Sequence, residues 1–97
     1  MDKSYHVYIL ASGRNGTLYI GITGYLAQRM WQHRNGEGLK FATKYRVSRL
    51  VHVETFSDPS EAIAREKAMK KWQRAWKLEL IERDNPQWLD LYDQLNG

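Results

Sequence analysis

Three short segments of the chain are rich in the β-branched and aromatic residues that are typical of β-strands. They cover residues 5–10, 18–22 and 50–56. Asn15 and Gly16 lie between the first two segments, and this dipeptide tolerates the positive φ angles of a tight hairpin turn. The pattern therefore predicts an antiparallel hairpin and, later in the chain, a third strand.

Helical periodicity follows the hairpin over residues 25–35. Leu26 and Met30 recur at the spacing of one helix face, so we expect both to pack against the sheet. Arg29 and His33 are expected beside them, at the border of the same face.

The rest of the chain is predicted to be a loop and further helices. Residues 36–49 combine two glycines with four basic residues and show no regular period, which favours an irregular loop. After a Ser-Asp-Pro start, residues 60–83 are expected to be helical, with a break near residues 72–75. Residues 88–95, beyond Pro86, predict a short last helix. The order β-β-α-β-α-α predicts an α+β fold with a small three-stranded antiparallel sheet flanked by helices.

Composition narrows the class of protein. A length of 97 residues suits one domain, so residues 1–97 are expected to form a single domain. The absence of cysteine excludes disulfides, thiolate metal sites and cysteine nucleophiles. No segment approaches the roughly 20 apolar residues of a membrane span, and the first four residues carry no apolar signal segment. We therefore expect a cytoplasmic protein without membrane contact, with a monomer as the default.

Charge is distributed unevenly along the chain. The net charge is +4, which is modest. Residues 1–53 hold eight Lys or Arg against two acids, whereas residues 78–97 hold one Arg against five acids. A basic body followed by an acidic tail suggests that the body faces a polyanion such as nucleic acid.

Glu66 is the most unusual candidate residue because it shares a helical stripe with Ala62, Met69 and Gln73. A carboxylate on a core-facing stripe is unfavourable unless it is paired or binds a metal ion. The simpler interpretation is an exposed ion pair with Lys70, four residues later, which would stabilise the helix only slightly. The pattern alone favours the simple pair and leaves the metal site open.

A run of basic residues without any acid follows Glu66. On the wheel of a continuous helix its members lie within about 120° of one another. They are Lys67, Lys70, Lys71, Arg74 and Lys77. Such a face suits a phosphate backbone held beside a metal ion, although most charge runs are simply solvated. We interpret these residues as candidates for nucleic-acid binding.

Four more residues are candidates that also have ordinary structural explanations. Tyr8 and Tyr19 lie one on each hairpin strand, where tyrosines usually belong to the core. Arg29 can lay its aliphatic stem along an apolar surface, and His33 alone is more often structural than catalytic. None of them decides the function by itself.

Taken together, these positions resemble the motifs of the GIY-YIG nucleases. Val7-Tyr8 and Tyr19-Ile20-Gly21 resemble the two halves of the motif that names the family, with the tyrosines eleven residues apart. Arg29 follows the second tyrosine by ten residues and His33 by four more, as in that family's first helix. Together with Glu66, these make five spaced positions in the expected strand and helix context, and such a set is fairly specific.

The C-terminal half extends the resemblance. Glu66 stands within Arg65-Glu66-Lys67, where the family carries its metal-binding glutamate, and Asn85 stands where small bacterial stand-alone members end with a similar sequence. Asn85 is the weakest correspondence, because it follows Glu66 by nineteen residues, farther than in other branches. The chain also departs from the pattern at His6, in place of glycine, and at Ile22, where repair members often carry lysine.

The resemblance implies a mechanism and a residue for each role. A single Mg²⁺ or Mn²⁺ would be held by Glu66. Tyr19 would accept the proton of the attacking water, and Tyr8 would orient that water. Arg29 would clamp the non-bridging phosphate oxygens, and His33 would contact the phosphate or relay a proton.

The expected function is therefore a metal-dependent endonuclease that hydrolyses phosphodiester bonds in DNA. We expect a preference for structures such as nicks, flaps, branches or single strands, as in repair or recombination intermediates, with RNA as an open alternative substrate. Two other classes remain. One is a non-catalytic nucleic-acid-binding module that keeps the basic face, and the other is a protein-interaction domain that uses exposed Trp and Tyr.

Overall fold

The computed structural model describes residues 3–35 and 44–95. Its strands are β1 (Tyr5–Ala11), β2 (Leu18–Thr23) and β3 (Arg49–Phe56), and they form one antiparallel sheet in the order β2-β1-β3. Its helices are α1 (Leu26–Arg34), α2 (Pro59–Lys71), α3 (Arg74–Asp84) and α4 (Tyr92–Leu95). The predicted α+β class and element order are confirmed.

The β1–β2 connection is the tight turn that its sequence predicts. The backbone N–H of Gly16 donates to the carbonyl of Gly13 at 3.0 Å, and Asn15 adopts a φ of 58°. Asn tolerates this left-handed conformation better than most residues with a side chain. The turn fixes the register of the hairpin and hence the relative positions of the residues on its two strands.

The two faces of the sheet have separate cores. Val7, Ile9 and Ala11 pack on one face with residues of α2, α3 and the buried Trp88. On the other face Tyr8 packs with residues of α1, including the predicted Leu26 and Met30. Helices on both faces therefore cover the sheet, and the central strand β1 is fully buried from Val7 to Ala11.

A β-bulge in β3 serves both cores. Ile9 pairs with His52 and Leu10 pairs with Leu50, so Val51 is an extra residue with no partner of its own on β1. The bulge places Leu50 in the core under α1 and Val51 in the core under α2 and α3.

The helix boundaries follow recognisable signals. The Asp58 side chain accepts a hydrogen bond from the Ser60 backbone N–H at 2.9 Å, and Pro59 opens α2, as the Ser-Asp-Pro start predicts. Trp72 and Gln73 are extended, with ψ angles of 148° and 154°, and they separate α2 from α3 at the expected break.

The prediction of a helix over residues 88–95 is wrong for its first half, since only Tyr92–Leu95 is helical. Trp88 is fully buried with a φ of 57°, and its carbonyl accepts a hydrogen bond from Arg49 Nη1 at 3.1 Å. The backbone N–H of Leu91 donates to the Leu50 carbonyl at 2.7 Å. These contacts with β3 outweigh the local helical preference of the segment.

The predicted loop over residues 36–49 is only partly covered, since residues 36–43 lie outside the described part of the chain. Its last residue, Arg49, belongs to β3. Within residues 3–35 and 44–95, no helix combines the length and the apolar character needed to cross a membrane.

Candidate active site

The centre of the candidate site is built on the pairing of Tyr8 with Gly21. These residues lie directly opposite each other on β1 and β2. A Cβ atom on Gly21 would lie 2.5 Å from both Cζ and Oη of Tyr8, and 3.0 Å from Cε1 of Tyr19. Both tyrosine rings therefore cover the glycine, and any larger residue would displace them.

A ring from α1 completes an aromatic cluster. The ring centroid of His33 lies 6.1 Å from that of Tyr8 and 5.9 Å from that of Tyr19, and the two tyrosine rings are 6.4 Å apart. Tyr8 Oη lies 3.4 Å from His33 Nε2. His33 Nδ1 is buried and has no hydrogen-bond partner within the described residues. The fold thus brings together three side chains that the sequence separates by up to 25 residues.

Burial dominates the protonation of these three rings. It raises the pKa of Tyr8 to about 12, with a further upward contribution from Tyr19, while the neighbouring Arg29 opposes the change. Burial also raises the pKa of Tyr19, which Lys70 and Arg29 partly offset. Burial, together with the charge of Arg29, lowers the pKa of His33. At neutral pH both phenols are therefore protonated and the imidazole is neutral.

Arg29 is the cation of the site on the α1 side. It is half-buried and acts on both tyrosines and on His33 through its charge. A cleft of about 140 Å³ opens beside it, lined also by Thr23, Tyr25, Gln28 and Gln32. A cation with uncharged polar neighbours suits a phosphate group, because nothing in this lining repels an anion.

Glu66 reaches the same region from α2. Its charge raises the pKa of Tyr8 and of Tyr19, so its carboxylate lies close enough to affect both phenols. Its side chain is only 13% exposed, and its Oε2 lies 2.8 Å from Nζ of Lys70. The two interpretations of Glu66 are thus combined. The ion pair with Lys70 exists, and it joins a half-exposed lysine to a largely buried carboxylate at the edge of the candidate site.

The structure places the basic run on two helices. Lys67, Lys70 and Lys71 belong to α2, whereas Arg74 and Lys77 belong to α3. The extended Trp72–Gln73 step separates the helices, so the prediction of one continuous helical face is wrong. Arg74 Nη2 instead donates to the carbonyls of Asn15 and Gly16 in the hairpin turn, at 2.8 and 2.6 Å.

Asn85 has a structural explanation. It is buried, and its Nδ2 donates to the carbonyls of Val51 and Leu89 at 3.1 and 2.9 Å. Its Oδ1 accepts from the backbone N–H of Leu89 at 3.0 Å. Asn85 therefore ties the chain after α3 to β3, and no described contact links it to the tyrosine cluster.

A polar network that the sequence pattern did not predict lies on the opposite face of the sheet, under α2 and α3. The carboxylate of Glu54 accepts from Arg65 Nε and Nη2 at 2.8 and 2.9 Å, and its Oε2 lies 2.8 Å from His52 Nε2. Burial alone would raise the pKa of Glu54, but the hydrogen bonds from His52 and Arg65, with the charge of Arg65, lower it to about 2. The available signal was the pair of polar residues two apart on a strand, which share one face.

A metal ion would have one evident protein ligand here. Within residues 3–35 and 44–95 no group of three His, Asp or Glu side chains is placed to hold a metal together. Glu66 alone still fits a hard dication such as Mg²⁺, which commonly binds through one or two carboxylates and keeps several waters. Lys70 would then either share the Glu66 carboxylate with the metal ion or move away from it.

Comparisons with known proteins agree with this geometry. The model of the GIY-YIG catalytic domain matches residues 4–79. The UPF0213 protein of Staphylococcus saprophyticus is 40% identical over 81 residues, which cover 84% of this chain and 96% of that protein. The UPF0213 protein of Syntrophus aciditrophicus is 40% identical over 88 residues, covering 90% of this chain and 98% of that protein.

A solved structure shows the same fold. The solution NMR structure of the UPF0213 protein from Bacillus halodurans matches with a TM-score of 0.57 and 28% identity, covering 90% of this chain and 92% of that one. The matched residues 4–79 include Tyr8, Tyr19 and Gly21. This chain belongs to the GIY-YIG nuclease superfamily and, within it, is related to the UPF0213 proteins.

Proposed function

We propose that this protein is a divalent-metal-dependent endonuclease that hydrolyses phosphodiester bonds in DNA. The observation that carries the proposal is the convergence of Tyr8, Tyr19 and His33 around Gly21, with Arg29 and Glu66 acting electrostatically on the same phenols. A cation, a carboxylate and proton-carrying groups at one point are the components that phosphodiester hydrolysis requires.

Arg29 is the phosphate-binding residue of the proposal. Its planar guanidinium can hold two non-bridging oxygens at once, and the attraction grows as negative charge builds up during attack. The polar cleft beside it offers space for the phosphate.

The two tyrosines have different roles. Tyr8, with a pKa of about 12, keeps its proton and serves as a hydrogen-bond donor that orients the nucleophilic water. Tyr19 is the candidate base, because Lys70 and Arg29 both favour its phenolate. The net direction for Tyr19 is still upward, so its phenolate is a minor species at pH 7 and cleavage should accelerate as the pH rises. His33 is neutral, and its Nε2 lies 3.4 Å from Tyr8 Oη, so its role is to contact the phosphate or to relay a proton while Tyr8 keeps its own.

Glu66 would hold the metal ion, with water and phosphate oxygens as its other ligands. When bound there, Mg²⁺ or Mn²⁺ would supply positive charge that polarises the phosphate and stabilises the leaving 3′ oxygen. Partial burial of Glu66 strengthens this interaction, because charges attract more strongly where water is scarce.

The test is a cleavage screen with linear, nicked, flapped and branched DNA and with RNA, each with Mg²⁺, Mn²⁺ or a chelator. We expect metal-dependent cleavage that is strongest on a DNA with a nick, flap or branch, as repair intermediates have. Glu66→Gln should abolish it, and Tyr19→Phe should reduce it roughly 100-fold or more. Glu61→Gln, an exposed change on the same helix, is the matched control and should cleave normally.

Two outcomes would contradict the proposal. Wild-type cleavage by Glu66→Gln would remove the metal-binding role of that carboxylate. Tight DNA binding without cleavage under any condition would instead support a non-catalytic nucleic-acid-binding module.

A further inference from the structure

A second surface feature lies at the junction of α2 and α3, away from the tyrosine cluster. It is a groove of about 410 Å³ lined by Arg65, Trp72, Trp76, Glu79, Leu80 and Arg83. This volume lies within the range of small-ligand sites in proteins. None of the lining residues takes part in the proposed cleavage.

Trp76 gives the groove an open aromatic surface. Its side chain is 52% exposed although it is the largest apolar type. Its ring meets that of Trp72 at a centroid distance of 6.1 Å and an angle of 76°, an edge-to-face arrangement that favours a fixed orientation.

Trp72 packs in turn against the side chain of Arg65. The guanidinium of Arg65 lies 4.9 Å from the centroid of its ring, and the same guanidinium is fixed by two hydrogen bonds to Glu54. The series Glu54, Arg65, Trp72 and Trp76 thus runs from the sheet to the surface. An exposed ring held in this way can bind a planar partner with little loss of side-chain entropy.

The polar members of the lining favour a nucleobase over an aliphatic partner. Arg83 supplies a cation, and Glu79 supplies an acceptor for the amino or imino groups of a base. Arg65 precedes Glu66 in the chain, so the two side chains leave α2 about 100° apart.

We propose that this groove binds an unpaired base of a single-stranded nucleic acid by stacking on Trp76. The ligand class rests on the proposed function, but the binding does not require cleavage. Duplex bases are already stacked on each other, so the groove would select substrates that contain an unpaired nucleotide.

The test measures affinity in the presence of a chelator, so that failure of catalysis cannot affect it. A fluorescently labelled single-stranded oligonucleotide is titrated with wild type and Trp76→Ala, which should bind it roughly tenfold or more weakly. Trp31→Ala is the matched control, since Trp31 is 50% exposed but lies on α1, over the other face of the sheet. Trp76→Phe keeps a smaller ring and should recover part of the affinity.

An oligonucleotide with abasic sites and the same phosphates provides the decisive comparison. If bases stack on Trp76, wild type and Trp76→Ala should bind the abasic strand equally. The proposal is overturned if Trp76→Ala binds the normal strand as tightly as wild type does. It is likewise overturned if the substitution weakens binding to the abasic strand and to duplex DNA as much as it weakens binding to the normal strand. It is also overturned if Trp76→Ala changes only the oligomeric state in sedimentation, which would make the groove a protein interface.

Discussion

The Glu54–Arg65 salt bridge should contribute measurably to the stability of the fold, and this contribution should depend on pH. The lowering of the Glu54 pKa from 4.5 to about 2 corresponds to ~3 kcal/mol at about 1.4 kcal/mol per pKa unit. The carboxylate is 19% exposed, so solvent screens it only in part. Glu54→Gln keeps the shape of the side chain but removes the charge, and should destabilise the protein by about 2–3 kcal/mol at pH 7.

The pH dependence of this contribution to stability follows from the lowering of the Glu54 pKa. The Glu54 carboxylate has a lower pKa in the folded state than in the unfolded state. It therefore stabilises the fold at any pH above the unfolded-state pKa, near 4.5, and this stabilisation is lost as the pH falls toward 2. The gap between wild type and Glu54→Gln should therefore be constant from pH 7 to about pH 5 and shrink below that. Thermal unfolding should show a gap of roughly 10 °C at pH 7.

The control for this experiment is Glu79→Gln, which alters an exposed carboxylate on α3. It should change stability by less than about 0.5 kcal/mol both at pH 7 and at pH 3. A gap for Glu54→Gln that stays the same from pH 7 to pH 3 would refute the electrostatic explanation and assign the effect to packing.

Three further substitutions test other parts of the structure. Gly21→Ala should lower stability by about 1–3 kcal/mol and impair cleavage, because the new Cβ atom would lie 2.5 Å from Tyr8. Gly13→Ala is the control, because its Cβ atom would have no neighbour within 4 Å, and it should match wild type in both assays. Arg29→Lys should reduce turnover at saturating DNA more than it weakens binding, and a pure binding loss would make Arg29 a docking residue. Asn85→Ala should lower the unfolding free energy by about 2 kcal/mol or more through three lost hydrogen bonds, whereas lost cleavage at normal stability would give Asn85 a role in the site.

The sheet and its first helix could be predicted from the sequence because local signals decide them. The Asn15-Gly16 turn, the β-branched strands and the apolar stripe of Leu26 and Met30 each agree with the tertiary structure. The family motif then identified the tyrosines, and the register of the hairpin explains why their spacing matters.

What could not be predicted depends on distant contacts. Trp88 leaves the helical conformation because Arg49 and the core hold it elsewhere. The extended Trp72–Gln73 step turns Arg74 toward the hairpin, so a helical wheel drawn through the break fails. The Glu54 network needs Arg65, which comes within reach only when α2 packs on the sheet.

The position of β1 at the centre of the sheet has a consequence for how the chain folds. The β1–β2 hairpin closes a short loop, which takes microseconds. Its pairing already places Tyr8 opposite Gly21, on the same face of the sheet as Tyr19. Pairing of β1 with β3 must close a much longer loop, and Glu66 arrives only with the helix beyond β3. We expect the aromatic half of the site to assemble first and its carboxylate last. Lengthening the segment between α1 and β3 should then delay the second step while changing stability little, since doubling a loop costs only about 0.6 kcal/mol.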